Sequence, residues 1–413
     1  MAFLLTPNPW GIKRKDALYW QMTGQTARAI LPRMQVYFVL YHRFDNSSGI
    51  HIFHLANELQ KRGIACTALV PDSPESVRSF GEPAFAVETF NLGWQRRIAQ
   101  RFAKRGDSIV HAWTPREVTR KPTLELATRL RAPYLIHLED NERVVYLSHA
   151  KHKAAERGKR KLSKRLIHPL RWRQFMRGAA GVTALIDDLL EFCPPGTPGK
   201  VFWPACEPVI FDMPTAPDLA LRRSFGIPDH ALVLYYPGNV HAANVEDVNT
   251  LYRAVVLLNA GGVPVWMLRT GTHSSKLSNA LPELPQIIEL GHQPSSRIPE
   301  FLRVADILAQ PGRADRFNIY RFPSKLPMFL ASGRPVILPE CNLGKHLSDG
   351  ENCLLTRDGT AEELSGKIAA LAADPLLRER LGVAGRTFAR EHLRWDIAAD
   401  RMIRFYESIL AAW

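Results

Sequence analysis

Two basic residues, Arg321 and Lys325, stand immediately before a segment whose pattern predicts a short helix and then a buried strand. Pro323 suits the first turn of that helix, Gly333 suits its C-terminal end, and Val336 begins the apolar strand. Free backbone N–H groups at a helix N-terminus attract anions, and two neighbouring cations make phosphate the natural ligand. The same pattern also fits an ordinary helix–strand unit of an α/β domain, so both interpretations stay open at this point.

A second group of polar residues follows the apolar run 134–138, which predicts a strand. His137 lies near the end of this run, and Glu139 and Asp140 come directly after it. Ligands of open α/β sheets bind at the carboxyl ends of the strands, so these three residues are candidate catalytic groups. A carboxylate here could act as a base or orient a hydroxyl, although each side chain could instead have a structural role.

The elements around these residues alternate between strands and helices. The apolar run 34–41 predicts a buried parallel strand, which a loop with Gly49, a helix and the apolar run 65–71 then follow. This is the βαβ opening of a doubly wound α/β domain. We expect the last strand of the domain at 181–185, and the Pro- and Gly-rich stretch 194–204 to be a linker to a second domain.

Composition excludes several classes of protein. The chain has 413 residues, of which 46% are hydrophobic, enough for two domains with separate cores. No apolar run reaches the ~18 residues that a membrane-spanning helix needs, and the first 34 residues lack the apolar core of a signal peptide. The five cysteines are scattered without metal-binding spacing, so we expect reduced thiols and no structural zinc.

The net charge of +14 is concentrated in one segment. Residues 151–177 contain eleven Lys and Arg against one acid, a charge of +10, with Leu162, Leu166, Leu170 and Trp172 interleaved at roughly helical spacing. Three interpretations are open: a solvated basic face, a nucleic-acid patch, or an interfacial helix on an anionic membrane. The last fits basic amphipathic sequence with Trp best, and no nucleic-acid-binding signature supports the second.

Five segments, in sequence order, resemble glycosyltransferases of the GT-B class, family 4 type. The main one is Pro323-Ser324-Lys325-Leu326 followed by Leu330-Ala331-Ser332-Gly333-Arg334-Pro335-Val336-Ile337. The others are Tyr235-Tyr236-Pro237-Gly238-Asn239, Arg303 to Leu308, Leu347 to Leu355, and Leu377 to Gly382. Together they place the resemblance between about Met34 and the C-terminus.

The resemblance implies the α/β GT-B fold, in which two Rossmann-like doubly wound domains face a cleft. It implies an N-terminal extension (1–33), an acceptor domain (34–210), a donor-binding domain (211–390) and a final helix (391–413) that crosses back to the first domain. It also implies that Gly49 lets its loop approach the sugar and the donor diphosphate. His137 would lie near the sugar, where a neutral imidazole can hydrogen-bond a hydroxyl.

The chain departs from the family pattern at the donor site. Asn239 and Asn244 stand where the family typically has an Arg and a Lys, and Tyr320 and Met328 stand where it has two Glu residues. Cations elsewhere, including Arg269 and Arg321, could replace the missing positive charge. The predicted donor-binding residues are Gly49, Gly238, Asn239, His241, Asn244, Arg269, Thr270, Asn318, Tyr320, Arg321, Ser324 and Lys325.

The function implied is transfer of a sugar, with retention, from a nucleotide-diphosphate donor to a hydroxyl of a glycan or lipid-linked acceptor. No metal or other cofactor is expected, and the expected location is cytoplasmic, peripheral at the inner face of an anionic membrane. Loss of the family carboxylates keeps an alternative open. The chain could be a catalytically silent GT-B scaffold that binds a glycan, a lipid headgroup or a partner enzyme.

Overall fold

The computed structural model describes most of the chain. The described residues are 34–90, 108–155, 163–241, 244–272 and 284–413, with the backbone alone over 149–155. The predicted N-terminal extension, 1–33, and much of the basic segment therefore lie outside the described residues.

The first domain is built on a sheet of seven parallel strands. The strands are β1 (Gln35–Leu40), β2 (Ala65–Val70), β3 (Ala86–Thr89), β4 (Ser108–Trp113), β5 (Tyr134–Leu138), β6 (Gly181–Ala184) and β7 (Gly199–Val201). Their order is β3-β2-β1-β4-β5-β6-β7, so the winding reverses between β1 and β4, where open sheets of this type bind ligands. The helices are α1 (Ser47–Lys61), α2 (Glu117–Leu130), α3 (Glu142–Ala155) and α4 (Trp172–Arg177).

The second domain repeats this architecture with six parallel strands. They are β8 (Leu232–Pro237), β9 (Val265–Thr270), β10 (Ile287–Glu289), β11 (Ile307–Ala309), β12 (Val336–Pro339) and β13 (Leu354–Thr356), in the order β10-β9-β8-β11-β12-β13. The helices from the connection onward are α5 (Pro208–Phe211), α6 (Leu219–Ser224), α7 (Val245–Ala260), α8 (Ile298–Val304), α9 (Leu326–Ala331), α10 (Ala361–Ala373), α11 (Pro375–His392) and α12 (Trp395–Ala412). The predicted fold class, two doubly wound α/β domains, is confirmed.

The final helix, α12, packs on the first domain rather than on the second. Met402 and Tyr406 join the core cluster that contains Phe38 and Ile52. The Tyr406 hydroxyl also lies 2.8 Å from Nδ1 of the buried His111 in β4. The chain thus crosses between the domains twice, and these apolar contacts hold the two halves together.

Two predicted boundaries are corrected by the structure. The first sheet does not end with the strand at 181–184, because residues 199–201, expected in the linker, pair with it as β7. The helix expected to begin near Pro323 begins at Leu326. Within the described residues, no helix is long and apolar enough to cross a membrane.

Candidate functional site

A cavity of about 250 Å³ lies between the two domains and is called the cleft cavity below. The first domain lines it with Tyr41, Asn46, Ser47, Ser48, His51, Glu139, Asp140 and Leu185, and the second with Tyr236, Asn244, Asp247, Gln310, Arg321, Phe322, Pro323, Ser324 and Lys325. Residues at the carboxyl ends of β1, β5, β8 and β11 are all in this lining, so the cavity occupies the ligand-binding edge of both sheets.

Glu139 is held in place on the first-domain wall by several donors. The Ser48 hydroxyl and the Trp113 indole N–H (2.8 Å) donate to its two oxygens, and His51 Nδ1 lies 3.4 Å from Oε1. Burial by itself would raise the pKa of Glu139, but His51 above all, with His137 and Ser48, lowers it to about 2. The carboxylate is therefore ionised at neutral pH and cannot turn without losing these bonds.

The N-terminus of α1 brings Ser48 and His51 to the cavity. Asn46 caps this helix by accepting a hydrogen bond of 2.9 Å from the Gly49 backbone N–H. A Cβ on Gly49 would lie 2.8 Å from the Phe44 Cα, so only glycine lets the first turn pack on the preceding loop. The positive end of a 15-residue helix dipole therefore faces the cleft.

Arg116 organises a second acidic group beside Glu139. Its Nε donates to Glu142 at 2.9 Å, its Nη2 lies 3.6 Å from Asp140, and its guanidinium carbon lies 4.1 Å from the Tyr41 ring centroid. Burial raises the pKa of Glu142 to about 7 against the opposing effect of Arg116. Asp140 thus lines the cavity, and Arg116 lies behind it within ion-pair distance.

The second-domain wall carries the cations Arg321 and Lys325. The Lys325 ammonium lies 3.9 Å from the Tyr236 ring centroid, and a Cβ on Gly238 would lie 2.7 Å from it. Burial first, then the charges of Arg321 and Arg269, lower the pKa of Lys325 to about 7. In the described part of the chain, neither Arg321 nor Lys325 has a carboxylate within ion-pair distance, so this wall is suited to an anionic ligand.

Helix α9 contributes less positive charge to this wall than the sequence pattern predicts. It has only six residues, the backbone N–H of Leu326 already donates to the Pro323 carbonyl at 3.0 Å, and Pro327 has no N–H. The positive charge at this point of the cleft therefore comes mainly from the side chains of Arg321 and Lys325.

The structure brings six of the predicted side chains together in the cleft cavity. They are Glu139, Asp140, Asn244, Arg321, Ser324 and Lys325. Gly49 and Gly238 adjoin the cavity through backbone positions where a side chain would collide. His241 is close enough to Arg321 and Lys325 for them, after burial, to lower its pKa.

The expected position of His137 in the cleft is corrected by the structure. Its imidazole is fully buried, stacks on Trp113 at 3.9 Å between ring centroids, and shares a 2.7 Å hydrogen bond with Thr183. Within the described part of the chain its Nε2 has no hydrogen-bond partner, and burial lowers the pKa of the imidazole to about 3, so the ring is neutral. His51, rather than His137, is the histidine that lines the cleft cavity.

Arg269 and Thr270 lie behind the cleft cavity. The buried guanidinium of Arg269 bonds Glu289 at 2.6 Å and the carbonyl oxygen of Gly238 at 3.1 Å, while Thr270 shares a 2.9 Å bond with the Tyr235 hydroxyl. These bonds fix the glycine loop from behind. A direct contact of either side chain with the donor stays a prediction that this geometry does not favour.

Three other predicted donor residues are engaged in contacts around the cavity. The Asn239 side chain accepts from the Thr272 N–H at 2.9 Å, and Asn318 donates weakly to Asp247 at 3.4 Å. The Tyr320 hydroxyl donates to Glu191 of the first domain at 2.6 Å. Tyr320 therefore joins the two domains, a role that its place in the family motif does not indicate.

Several residues that line the cleft cavity were not predicted from the sequence, above all His51, Asp247 and Gln310. The first two had a local signal, since each lies within one turn of a predicted cleft residue, Gly49 and Asn244. Gln310 had no such signal, yet its buried Oε1 has no hydrogen-bond partner over the described ranges. Among the residues that the structure covers, no group of three His, Cys, Asp or Glu side chains could hold a metal ion.

The basic segment is described only from residue 163 onward. Leu170 is 83% exposed, but Trp172, expected to face a membrane, is half-buried and packs against the interdomain core. The backbone N–H groups of Glu117 and Val118 bond the Leu166 and Lys164 carbonyls at 3.0 and 2.8 Å, which ties the segment to α2.

Comparison with known proteins supports the expected resemblance. Residues 231–374 match the family model of glycosyl transferases group 1. A D-inositol 3-phosphate glycosyltransferase of Stackebrandtia nassauensis is 25% identical over 241 residues, 53% of this chain and 48% of the relative. An uncharacterized glycosyltransferase of Methanocaldococcus jannaschii, MJ1178, is 27% identical over 127 residues, 30% of this chain and 34% of the relative. The chain thus spans half or less of the length of the curated relatives it matches.

Solved structures match over almost the whole chain. Anabaena Alr3699/HepE in complex with UDP-glucose has a TM-score of 0.65 at 14% identity, covering 90% of this chain and 99% of its own. Sucrose-phosphate synthase from Thermosynechococcus elongatus has a TM-score of 0.65 at 14% identity, covering 92% and 100%. WaaG, a glycosyltransferase involved in lipopolysaccharide biosynthesis, has a TM-score of 0.58 at 15% identity, covering 88% of this chain and 98% of its own. The two-domain GT-B fold predicted from the sequence is confirmed.

Proposed function

We propose that this protein is a retaining glycosyltransferase that transfers a sugar from a nucleoside-diphosphate donor to a hydroxyl of a glycan or lipid-linked acceptor. The observation that carries the proposal is the pair Arg321 and Lys325. These cations lack an acidic partner within the described residues and face a fixed carboxylate, Glu139, across the cleft cavity. The match of 231–374 to glycosyl transferases group 1 supports it, as do solved structures of this fold with UDP and UDP-glucose.

Arg321 and Lys325 would hold the donor diphosphate and stabilise it as it departs. A planar guanidinium binds phosphate oxygens bidentately, and an ammonium adds a point charge. Negative charge builds up on the leaving diphosphate in the transition state, so these cations lower the barrier as well as bind the donor. Bound phosphate would also raise the pKa of Lys325 from its low value near 7 and keep it charged.

The first-domain wall would position the sugar and its acceptor. Ser48 and the positive end of α1 approach the cavity from one side, while the ionised Glu139 and His51 provide fixed polar groups on the other. Asp140, half-exposed and backed by Arg116, is the best-placed base or orienting group for an acceptor hydroxyl. Positioning of this kind, with closure of the two domains, would supply most of the rate enhancement.

Asp247 would supply the carboxylate that the family motif lacks here. The motif positions hold Tyr320 and Met328, but Asp247 in the first turn of α7 lines the cleft cavity. Gln310 lines it too, and its Oε1 has no hydrogen-bond partner in the described part of the chain. A carboxylate and an amide oxygen are both acceptors for ribose or sugar hydroxyls. This arrangement favours an active enzyme over the silent-scaffold alternative.

We also propose that the face around Leu170 docks on an anionic membrane, which would bring the cleft to a lipid-linked acceptor at the inner face of the membrane. Leu170 stands 83% exposed among exposed cations. Those cations are Lys164, Arg165, Arg171, Arg173 and Arg177. Each basic residue near an anionic surface contributes on the order of 1 kcal/mol.

The membrane proposal is tested by sedimentation with phosphatidylglycerol and phosphatidylcholine vesicles at two salt concentrations. We expect salt-sensitive binding to the anionic vesicles, weakened by Leu170→Ala. Leu376→Ala, which changes a similarly exposed leucine (76%) on α11, is the matched control. Equal binding to both lipids, or retardation of an oligonucleotide without vesicle binding, would reject it.

The enzymatic proposal is tested by a thermal-shift panel of nucleotide sugars and free nucleotides, followed by product analysis. A ligand at ~100 times its dissociation constant stabilises the fold by about 2.7 kcal/mol. The preferred donor should then give a glycoside whose anomeric configuration, read by NMR, matches the donor. Binding without any transfer would instead favour the silent scaffold, and an inverted product would reject retention.

A further inference from the structure

A second and larger cavity, of about 640 Å³, lies on another face of the domain junction. We call it the hinge cavity. The edge strand β7 and Asp187 form its first-domain wall, His346 comes from the second domain, and α12 closes it. It shares no lining residue with the cleft cavity. At this size it can enclose a small metabolite.

The hinge cavity has an excess of positive charge. Lys200, Arg401 and Arg404 all line it. Burial first, and then the charge of Arg404, lower the pKa of Arg401, since the two guanidinium groups lie one turn apart on α12. Over the described ranges, no carboxylate lies within ion-pair distance of any of these three cations. Asp187, the carboxylate of the lining, is already bonded to His346 at 2.6 Å.

Trp203 also lines the hinge cavity and has an indole N–H that is not used as a donor. The side chain is over nine-tenths buried, with 8% exposure, and its Nε1 has no hydrogen-bond partner among the residues that the structure describes. The ring is held in place by edge contacts with His346 at 4.7 Å and His392 at 6.4 Å between centroids. A buried N–H without an acceptor costs free energy of the same order as a lost hydrogen bond. An acceptor brought by a ligand would remove that cost.

We propose that the hinge cavity is a binding site for a phosphate-bearing small molecule. Arg401 and Arg404 would hold the phosphate, because guanidinium groups match the geometry of its oxygens. Lys200 would add charge, and the Trp203 N–H would donate to a ligand oxygen. The aromatic face of Phe405 would cover the body of the molecule.

An occupant of this site would connect the two domains. The lining comes from the first domain, from His346 of the second domain, and from the helix that crosses between them. A phosphate ligand would therefore favour the domain arrangement in which all of these walls are present. This inference is independent of the proposed glycosyl transfer, since it concerns a different cavity.

The test is calorimetric titration of inorganic pyrophosphate into the full chain and four variants. Arg321→Ala/Lys325→Ala removes the cleft cations and should leave the hinge binding intact. Arg404→Gln changes an exposed side chain and should weaken that binding about tenfold, the effect of losing one charge-assisted hydrogen bond. Trp203→Phe keeps the ring without the donor and should also weaken it. Arg357→Gln, on another exposed arginine that lies outside both cavities, is the control.

Two results would overturn the proposal. One is pyrophosphate binding that disappears entirely in the cleft variant, which would place all of it in the cleft cavity. The other is binding that stays unchanged when Arg404→Gln and Trp203→Phe are each added to the cleft variant. Phosphatidylglycerol vesicles identify the source of the phosphate, with every protein carrying Leu170→Ala to weaken docking through the Leu170 face. Vesicle retention lost when Arg404→Gln is added assigns a lipid headgroup to the site, and retention unaffected by it assigns a soluble phosphate ester.

Discussion

The two walls of the cleft differ in whether their charged side chains are paired within the protein. On the first-domain wall, Glu139 is saturated by Ser48, Trp113 and His51, and Arg116 is paired with two carboxylates. On the second-domain wall, Arg321 and Lys325 have aromatic neighbours but, among the described residues, no acidic partner.

This difference separates positioning from binding. Charges paired within the protein are already in their final geometry and need no reorganisation during a reaction. Cations left unpaired carry a desolvation cost that an anionic ligand can offset. The first wall is therefore the fixed frame of the site, and the second wall is the part completed by the ligand.

The largest effect is expected from removing the unpaired cations. Arg321→Ala and Lys325→Ala should each weaken nucleotide-sugar binding about 10- to 100-fold, since each loses a charge-assisted bond, and the double variant should abolish turnover. Without ligand, Arg321→Ala should lower the melting temperature only slightly. Lys325→Ala should raise it slightly, because a buried charge is removed. Arg316→Ala, in the same loop but outside the cavity, is the control and should behave like the parent.

Changing the fixed carboxylate should reduce transfer more than donor binding. Glu139→Gln keeps the shape of the side chain, but its amide N–H group would face Ser48 or Trp113, which are themselves donors. The mismatch should destabilise the site by about 1–3 kcal/mol. We expect kcat to fall sharply with a small change in donor affinity. Equal losses in kcat and in donor affinity would show that Glu139 contacts the donor in its ground state.

Glu139 should also make the stability of the fold depend on pH in the acid range. Its folded-state pKa, near 2, lies below the ordinary 4.5, so its contribution to stability is present above pH 4.5 and is lost as the pH falls toward 2. Chemical denaturation of the parent and of Glu139→Gln at several pH values measures this. The two stabilities should converge below pH 4.5, and parallel curves would contradict the assignment.

A smaller effect is expected from pH on the second wall. The pKa of Lys325 is lowered to about 7, so the free protein loses this charge as the pH rises through 7, and donor affinity should decline above that value. Lys325→Arg keeps its charge and should show a flatter affinity profile between pH 7 and 9. Identical slopes for parent and variant would show that Lys325 does not contact the donor phosphate.

The smallest effect is expected at the bond between the walls, from Tyr320 to Glu191. The 2.6 Å hydrogen bond raises the pKa of Tyr320 to about 12, but it is exposed to solvent. Tyr320→Phe should therefore cost less than about 1 kcal/mol. A double-mutant cycle with Glu191→Gln measures the coupling, and strictly additive effects would mean that the bond does not form in solution.

The sequence predicted the architecture well because its signals are local. The apolar runs at 34–41 and 232–236 and the glycine turns specify parallel strands and tight connections, whatever the rest of the chain does. The cations Arg321 and Lys325 were also predicted, since they lie next to the motif that positions them.

Features that depend on contacts between distant segments could not be predicted. His137 ends a strand, as a ligand residue would, but Trp113 and Thr183 from neighbouring strands enclose it. Arg269 was expected to replace a missing cation, yet Glu289 and the Gly238 carbonyl occupy its guanidinium. Neither partner is near in sequence.

The most direct test of the account is a crystal structure with the nucleotide sugar that gives the largest thermal shift. We expect the diphosphate in the cleft cavity, within ion-pair distance of both Arg321 and Lys325, with the sugar directed toward Glu139 and His51. A nucleotide bound elsewhere, or a diphosphate that contacts neither cation, would contradict the proposed division between the two walls.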